Sequence, residues 1–339
     1  MKYIYLGRTN LKVSRIGLGG IPLQRPIEKD AIKLIQHAIN SGINLLDTSR
    51  GYGTSEERIG KAIKGRREDL IIVTRTWITD NKIASNHLEL SLKTLDTDYI
   101  DIWQFHNINS MEKYQSVISK EGTYNIAKKA LNEGKIHFIG ITSHNIDVMK
   151  VAIQSNLFDV ILFPFNFVNN DAEGDLLKLI KKYDVGFLAM KPFAGGRILN
   201  TELALKYLLQ FENIVPIPGV EKIEEIDNNI NVLNTNSKLR KAEKREIKRI
   251  RKSLGFKFCQ WCGYCMSVCP QKIYIPGTIN LKVAWDLWPQ ESFIPDRKDD
   301  VELAKKCTEC GACERICPYN LPIRSMLKEA IIFYNSKVS

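Results

Sequence analysis

No apolar run in this chain approaches the roughly 18 residues that a membrane-crossing helix requires. The opening stretch, MKYIYLGRTNLKVSRIG, also lacks the uninterrupted apolar segment of a secretion signal. We therefore expect a cytoplasmic protein. Cysteine is missing from the first 258 residues, so none is available there for a disulfide or a thiolate nucleophile. Acidic residues are too few to balance the basic ones, 38 against 49, which leaves a net charge of +11. No recognised nucleic-acid-binding motif accompanies that charge. What remains is an ordinary globular composition, 44% hydrophobic over 339 residues, long enough for one large domain and a small one.

The eight cysteines occur in two copies of one spacing. Cys259, Cys262, Cys265 and Cys269, followed by Pro270, read C-x2-C-x2-C-x3-C-P; Cys307, Cys310, Cys313 and Cys317, followed by Pro318, repeat it. This spacing encodes two 4Fe-4S clusters, because three closely spaced thiolates wrap one cube while the fourth faces its neighbour. Ligands are thus expected crosswise: Cys259, Cys262, Cys265 and Cys317 for one cluster, and Cys307, Cys310, Cys313 and Cys269 for the other. Zinc ribbons and disulfides are the competing readings, but zinc sites commonly pair their cysteines across a longer gap and disulfides need no tandem triplets. Reduced, metal-bound thiols also suit a cytoplasmic location.

Much of the excess charge sits in Ser237 to Lys252, SKLRKAEKREIKRIRK, where nine cations face Glu243 and Glu246. Leu239, Ala242, Ile247 and Ile250 recur at near-helical spacing, so residues 236–255 read as a basic amphipathic linker helix. It is either a solvated face or a docking surface for an acidic redox partner protein.

Before that linker, eight apolar, β-branched runs alternate with amphipathic segments. The runs are Ile16 to Gly20, Asn44 to Ser49, Leu70 to Thr76, Ile100 to His106, His137 to Ser143, Val160 to Asn166, Val185 to Phe193 and Ile214 to Gly219. Continuous apolar runs suit buried parallel strands, so residues 1–235 are expected to form a (β/α)8 TIM barrel, with a doubly wound open sheet as the alternative. Two strand-like pieces around Arg8, Thr9 and Asn10 read as a hairpin closing the barrel bottom. Residues 256–339 should form a small α+β ferredoxin-like domain with a closing helix from Ile323 to Tyr334. Its insert between the cysteine runs, with Trp285, Trp288, Pro276, Pro289 and Pro295, should pack on the barrel or cover the clusters.

In such a barrel the chemistry sits where the strands end. The second strand ends in Asp47 and leads to Tyr52, the third carries Arg75, and the fourth ends at His106. An acid, a phenol, a fixed cation and an imidazole on one rim suit proton delivery to a carbonyl oxygen, because a neighbouring cation stabilises a phenolate. Taken singly, the same residues read as a helix cap, a loop aromatic, an ion-pair partner and a core histidine.

YLGRTNLKVSRIGLGG, LLDTSRGYGTSEERIGKAI and the QFH of the fourth strand resemble the aldo-keto reductases, in the branch that bears a ferredoxin-like extension. The resemblance covers residue 3 to about 235. It implies an NADP(H)-dependent oxidoreductase of small-molecule substrates with an Asp, Tyr, Lys and His tetrad. Asp47, Tyr52 and His106 match; Arg75 stands where the lysine belongs, keeping the charge but unable to act as a neutral proton relay.

Around the nucleotide the match is looser. Thr142-Ser143 replaces the family's Ser-Asn, Leu162 its strand-six Gln, and Met190-Lys191-Pro192-Phe193 its stacking-Tyr segment. Gly219 and Lys222 fall in the resembling phosphate turn, but Glu221 and Glu225 stand where cations would grip a 2'-phosphate, so strong NADP specificity is not expected. Lys191, Gly195, Gly196 and Arg197 form a candidate phosphate clamp after the seventh strand, fit for NAD(P)H or for FMN. Alternatively they are a strand-end lysine and a glycine turn. Because clusters pass single electrons and a nicotinamide passes two, the chain reads either as an aldo-keto reductase-type enzyme coupled to its clusters or as an electron-transfer module, or flavin-dependent reductase, on a barrel that has left carbonyl reduction behind.

Overall fold

The computed structural model describes all residues except 78–79, 235–237, 255–257, 260, 262, 288–289, 318 and 339, together with the side chains of 286–287 and 290–296. Of the residues singled out above, Ser237, Cys262, Trp288, Pro289 and Pro318 lie outside the described set, as does the side chain of Pro295. The chain divides into two compact units, Met1–Lys248 and Arg249–Ser339. The helix Lys241–Leu254 runs across that division. Its first half is held within the first unit by buried Ile247 and by Lys206, whose Nζ lies 2.7 Å from Glu243 Oε1.

The first unit begins with an antiparallel hairpin, β1 (Tyr3–Tyr5) and β2 (Lys12–Ser14). Eight parallel strands follow: β3 (Leu18–Gly19), β4 (Leu45–Asp47), β5 (Ile71–Thr76), β6 (Ile100–Phe105), β7 (Ile136–Thr142), β8 (Val160–Pro164), β9 (Gly186–Met190) and β10 (Ile214–Pro216). Each pairs with the next in chain order, and Gly19 bridges Gly219 to bring the last strand back to the first. Gly17 and Gly19 N–H groups donate across that seam to the carbonyls of Pro216 and Pro218, both at 2.9 Å. The sheet is thus closed, and the open alternative is set aside.

Every residue of β4, β5, β6 and β8 is buried, because barrel strands have the lumen on one side and helices on the other. Val73, Ile102, Val160, Leu162, Leu188 and Val215 fill the lumen, and Leu6 and Val13 of the hairpin join them from below. The hairpin is pinned there: Arg8 donates to Asp159 Oδ1 at 3.0 Å and to the Phe158 carbonyl at 2.8 Å. The floor is closed by packing, and the opposite end carries the polar residues.

Among the described residues the regular elements of the second unit are helices joined by loops, without the strands expected of an α+β domain. Its insert forms the helices Ile275–Ile279, Leu281–Leu287 and Gln290–Ala304, which pack on the closing helix Ile323–Val338. Ile273, Ile275, Leu321, Ile323 and Leu327 build an apolar core around Cys259, Cys265, Cys313 and Cys317. Those contacts replace strand pairing as the scaffold. No helix among the described residues is long and apolar enough to cross a membrane.

Candidate functional site

Asp47 ends β4, Arg75 is the fifth residue of β5, and His106 directly follows β6. The structure brings them together with Tyr52. Arg75 Nη1 donates to Asp47 Oδ1 at 2.6 Å and Nη2 to Oδ2 at 2.7 Å, a bidentate pair with both residues almost fully buried. Its remaining η hydrogens are also used. Nη2 donates to the Tyr52 hydroxyl at 3.0 Å, and Nη1 to Gln104 Oε1 at 3.1 Å. Burial is the largest single influence and lowers the Arg75 pKa, but the charges and hydrogen bonds of Asp47 and Tyr52 together outweigh it and hold the guanidinium more firmly protonated than usual. Losing one partner of such a pair would cost about 3–5 kcal/mol, since the other charge would be stranded.

Tyr52 is carried on a turn after β4, its N–H donating to the Ser49 carbonyl at 2.9 Å. Arg50 in that turn pairs with buried Glu56 at 2.6 Å, and Glu56 accepts in turn from Thr74 and Ser91. Trp77 lies over Gly51, where an added Cβ would sit 2.7 Å from the indole. The turn is therefore fastened on both sides of Tyr52. The Tyr52 and His106 rings meet edge to face at 6.2 Å, and His106 Nδ1 lies 3.5 Å from Ser49 Oγ.

His106 keeps a partial opening to solvent, yet burial by its surroundings, and then the charges of Arg75 and Lys191, push its pKa well below 6.5. It is neutral at physiological pH. An unfolded chain would bind a proton there near 6.5 while the folded one would not, so folding stability falls as pH drops below that value. The slope contributed is up to about 1.4 kcal/mol per pH unit. Denaturant melts between pH 7 and 5 should show a shallower loss for His106→Gln than for the parent; parallel curves would refute the assignment.

The expected nucleotide residues are dispersed around the same rim. Thr142 and Ser143 are buried and tie loops together: Thr142 Oγ1 accepts from Asn107 N–H at 2.7 Å, and Ser143 Oγ donates to Asn109 Oδ1 at 3.2 Å. Lys191 follows β9 with a left-handed φ of 56°, its carbonyl accepting from Asn166 Nδ2 at 2.9 Å. Gly195 and Gly196 also have positive φ, and nothing lies within 4 Å of the place a Gly196 Cβ would take, so a phosphate can approach that backbone; Arg197 is next to it. Gly219 sits at the barrel seam.

Lys222 precedes the helix Ile223–Val232. The N–H groups of Glu221 and Lys222 donate to Glu225 Oε2 at 2.7 and 3.2 Å, and Glu221 pairs with Arg25. The helix start is therefore already capped by a carboxylate of its own. Arg25 was missed as a site neighbour, and Gln104 was placed at the end of the fourth strand without a role. Arg25 could not be read, since 196 residues separate it from Glu221. Gln104 could, because strand alternation sets it on the same face as His106.

In the second unit, Cys269, Cys307, Cys310 and Cys313 line one pocket, together with Leu327 and Arg324. Among the described residues no three such side chains are close enough to chelate a single ion. Thiolates around a four-iron cube stand farther apart than ligands of one ion, so four thiols about a common pocket fit a cluster. Cys310 is exposed, whereas Cys259, Cys265, Cys313 and Cys317 are buried.

Residues 15–202 match the aldo/keto reductase family, and residues 258–321 match a 4Fe-4S dicluster domain. The chain is 29% identical over 233 residues to aldo-keto reductase YhdN of Bacillus subtilis (strain 168), covering 63% of this chain and 68% of that protein. It is 33% identical over 210 residues to L-galactose dehydrogenase of Arabidopsis thaliana, covering 56% of this chain and 65% of that protein, just under two thirds of its length. An aldo-keto reductase from Bacillus halodurans, solved in its holo form, superposes with a TM-score of 0.65 at 24% identity, over 74% of this chain and 96% of that one.

Proposed function

Because the chain belongs to the aldo/keto reductase family and carries a 4Fe-4S dicluster domain, we propose that its barrel reduces a small carbonyl substrate and that the cysteine domain exchanges electrons with a redox partner. The observation that carries this reading is the tie from Arg75 to both Asp47 and the Tyr52 hydroxyl. A guanidinium can only donate, so the contact occupies a lone pair on the Tyr52 oxygen and leaves its proton to point at a substrate. Tyr52 then gives that proton to the carbonyl oxygen. The phenolate left behind faces the fixed charge of Arg75, which Asp47 holds in place. Neutral His106, with Nδ1 turned to Ser49, offers Nε2 to orient the carbonyl. A nicotinamide, when bound, supplies the hydride.

For the nucleotide we assign Thr142, Ser143 and Gly219 to backbone-proximal contacts and Lys191, Gly195, Gly196, Arg197 and Lys222 to its phosphates. Glu225 capping its own helix and Glu221 beside it disfavour a 2'-phosphate, so NADP(H) should not be strongly preferred over NAD(H). One added like charge near a phosphate costs on the order of 1 kcal/mol in a partly screened site. The cysteines would hold the two clusters crosswise, an assignment supported by the pocket that Cys269 shares with Cys307, Cys310 and Cys313.

Titrating the anaerobic holoprotein with NADH, NADPH and FMN in parallel tests this reading. Comparable binding of the two nucleotides is expected, with turnover of a simple aldehyde or quinone. A marked NADPH preference would show that Arg25, Lys222 or Arg197 grips the 2'-phosphate; tight FMN with weak nucleotide binding would turn the assignment toward a flavin-dependent reductase.

A further inference from the structure

Gln104 occupies the flank of Arg75 opposite Tyr52. On the guanidinium edge Asp47 takes one hydrogen from each η nitrogen, Tyr52 takes the second from Nη2, and Gln104 Oε1 takes the second from Nη1. The three acceptors thus share four of the five N–H groups of a planar cation that is 1% exposed. Arg75 and Gln104 are register partners across β5 and β6, so the acceptor is fixed by the same ladder that fixes the arginine.

The next rung across β7 is Gly140. A Cβ there would lie 2.7 Å from Gln104 Cγ and 2.8 Å from the Val160 carbonyl, and glycine is what leaves the amide side chain its room. Arginine, glutamine and glycine therefore form one row through the lumen, each making space or a partner for the next. Asp47 alone would let the ion pair swing as a unit. An anchor on the other side holds Nη2 at the Tyr52 oxygen.

We infer that Gln104 is a positioning residue for proton delivery: it sets the orientation in which the Arg75 guanidinium meets Tyr52, and it does so because arginine rather than lysine stands at residue 75. This rests on the proposed role of Tyr52 as proton donor. A lysine ammonium has a single nitrogen and no second η group to be held, so Gln104 should matter only while residue 75 is arginine.

The test is a double-mutant cycle on the holoprotein, with NAD(P)H and an aldehyde or quinone that the parent reduces. Gln104→Leu should lower kcat about tenfold with KM changed less than about twofold, the pattern of an interaction used in the transition state. In an Arg75→Lys background the same change should cost less than about twofold, and Gln104→Glu, which keeps an acceptor in place, should stay within about threefold of the parent. If Gln104→Leu does not fold, Gln104→Met serves as the apolar variant. Equal losses in both backgrounds, or a Gln104→Glu as impaired as the leucine variant, would overturn the inference. Tyr52→Phe separates the two claims: a silent Tyr52→Phe removes the proton-donor reading and this inference with it, whereas a crippled Tyr52→Phe beside a silent Gln104→Leu removes the inference alone.

Discussion

Tyr52→Phe should lower carbonyl turnover at least about 100-fold, the usual reach of a well-placed general acid. The substitution removes one oxygen and leaves the ring that meets His106 edge to face and lies 5.2 Å from the Arg75 guanidinium carbon. The turn should keep its shape, because its fastening runs through Arg50, Glu56 and Gly51 and not through the phenol. Nucleotide affinity should therefore remain within about twofold while kcat falls, as expected when a transition-state interaction alone is lost. Steady-state kinetics with a fluorescence titration of NADH would check both parts. Full turnover in the phenylalanine variant would exclude Tyr52 as the donor.

Cys269→Ala is expected to act at a distance in sequence. The fully assembled protein should contain about eight irons and eight sulfides per chain, from two four-iron clusters. Cys269 belongs to the first cysteine run but lines the pocket of Cys307, Cys310 and Cys313. Its loss should then remove the cluster of the second run, taking roughly half the iron, and leave the other cluster reducible. Anaerobic iron and sulfide analysis with electron paramagnetic resonance would follow each cluster. A variant that lost the cluster of Cys259 and Cys265 instead would show that each run serves its own cube.

The barrel was legible because its strands are buried on both sides. Val160 to Phe165 and Leu70 to Thr74 are unbroken apolar or β-branched runs, and no amphipathic alternation competes with that reading. The rim was legible for a different reason: strand ends are fixed by the fold, so Asp47, Arg75 and His106 had to lie near one another. Contacts made between loops were not. The pairing of Arg25 with Glu221 depends on how a turn after β3 meets a turn after β10, which no local pattern encodes. Glu225 was seen as an acid and not as a cap, although its place three residues after Lys222 fits a capping box. The second unit was expected to contain strands because small cluster domains often do; its insert built helices on Ile323–Val338 in their place.

The unequal exposure of the thiols has a consequence for the protein in air. Cys310 is open to solvent while Cys259, Cys265, Cys313 and Cys317 are enclosed by apolar side chains. Among the described thiols an oxidant or chelator therefore meets Cys310 first, and decay should be sequential, with a half-stripped protein outliving the intact one. Material purified without exclusion of oxygen would then keep its barrel and part of its iron, and would look like a single-cluster protein for reasons of handling alone.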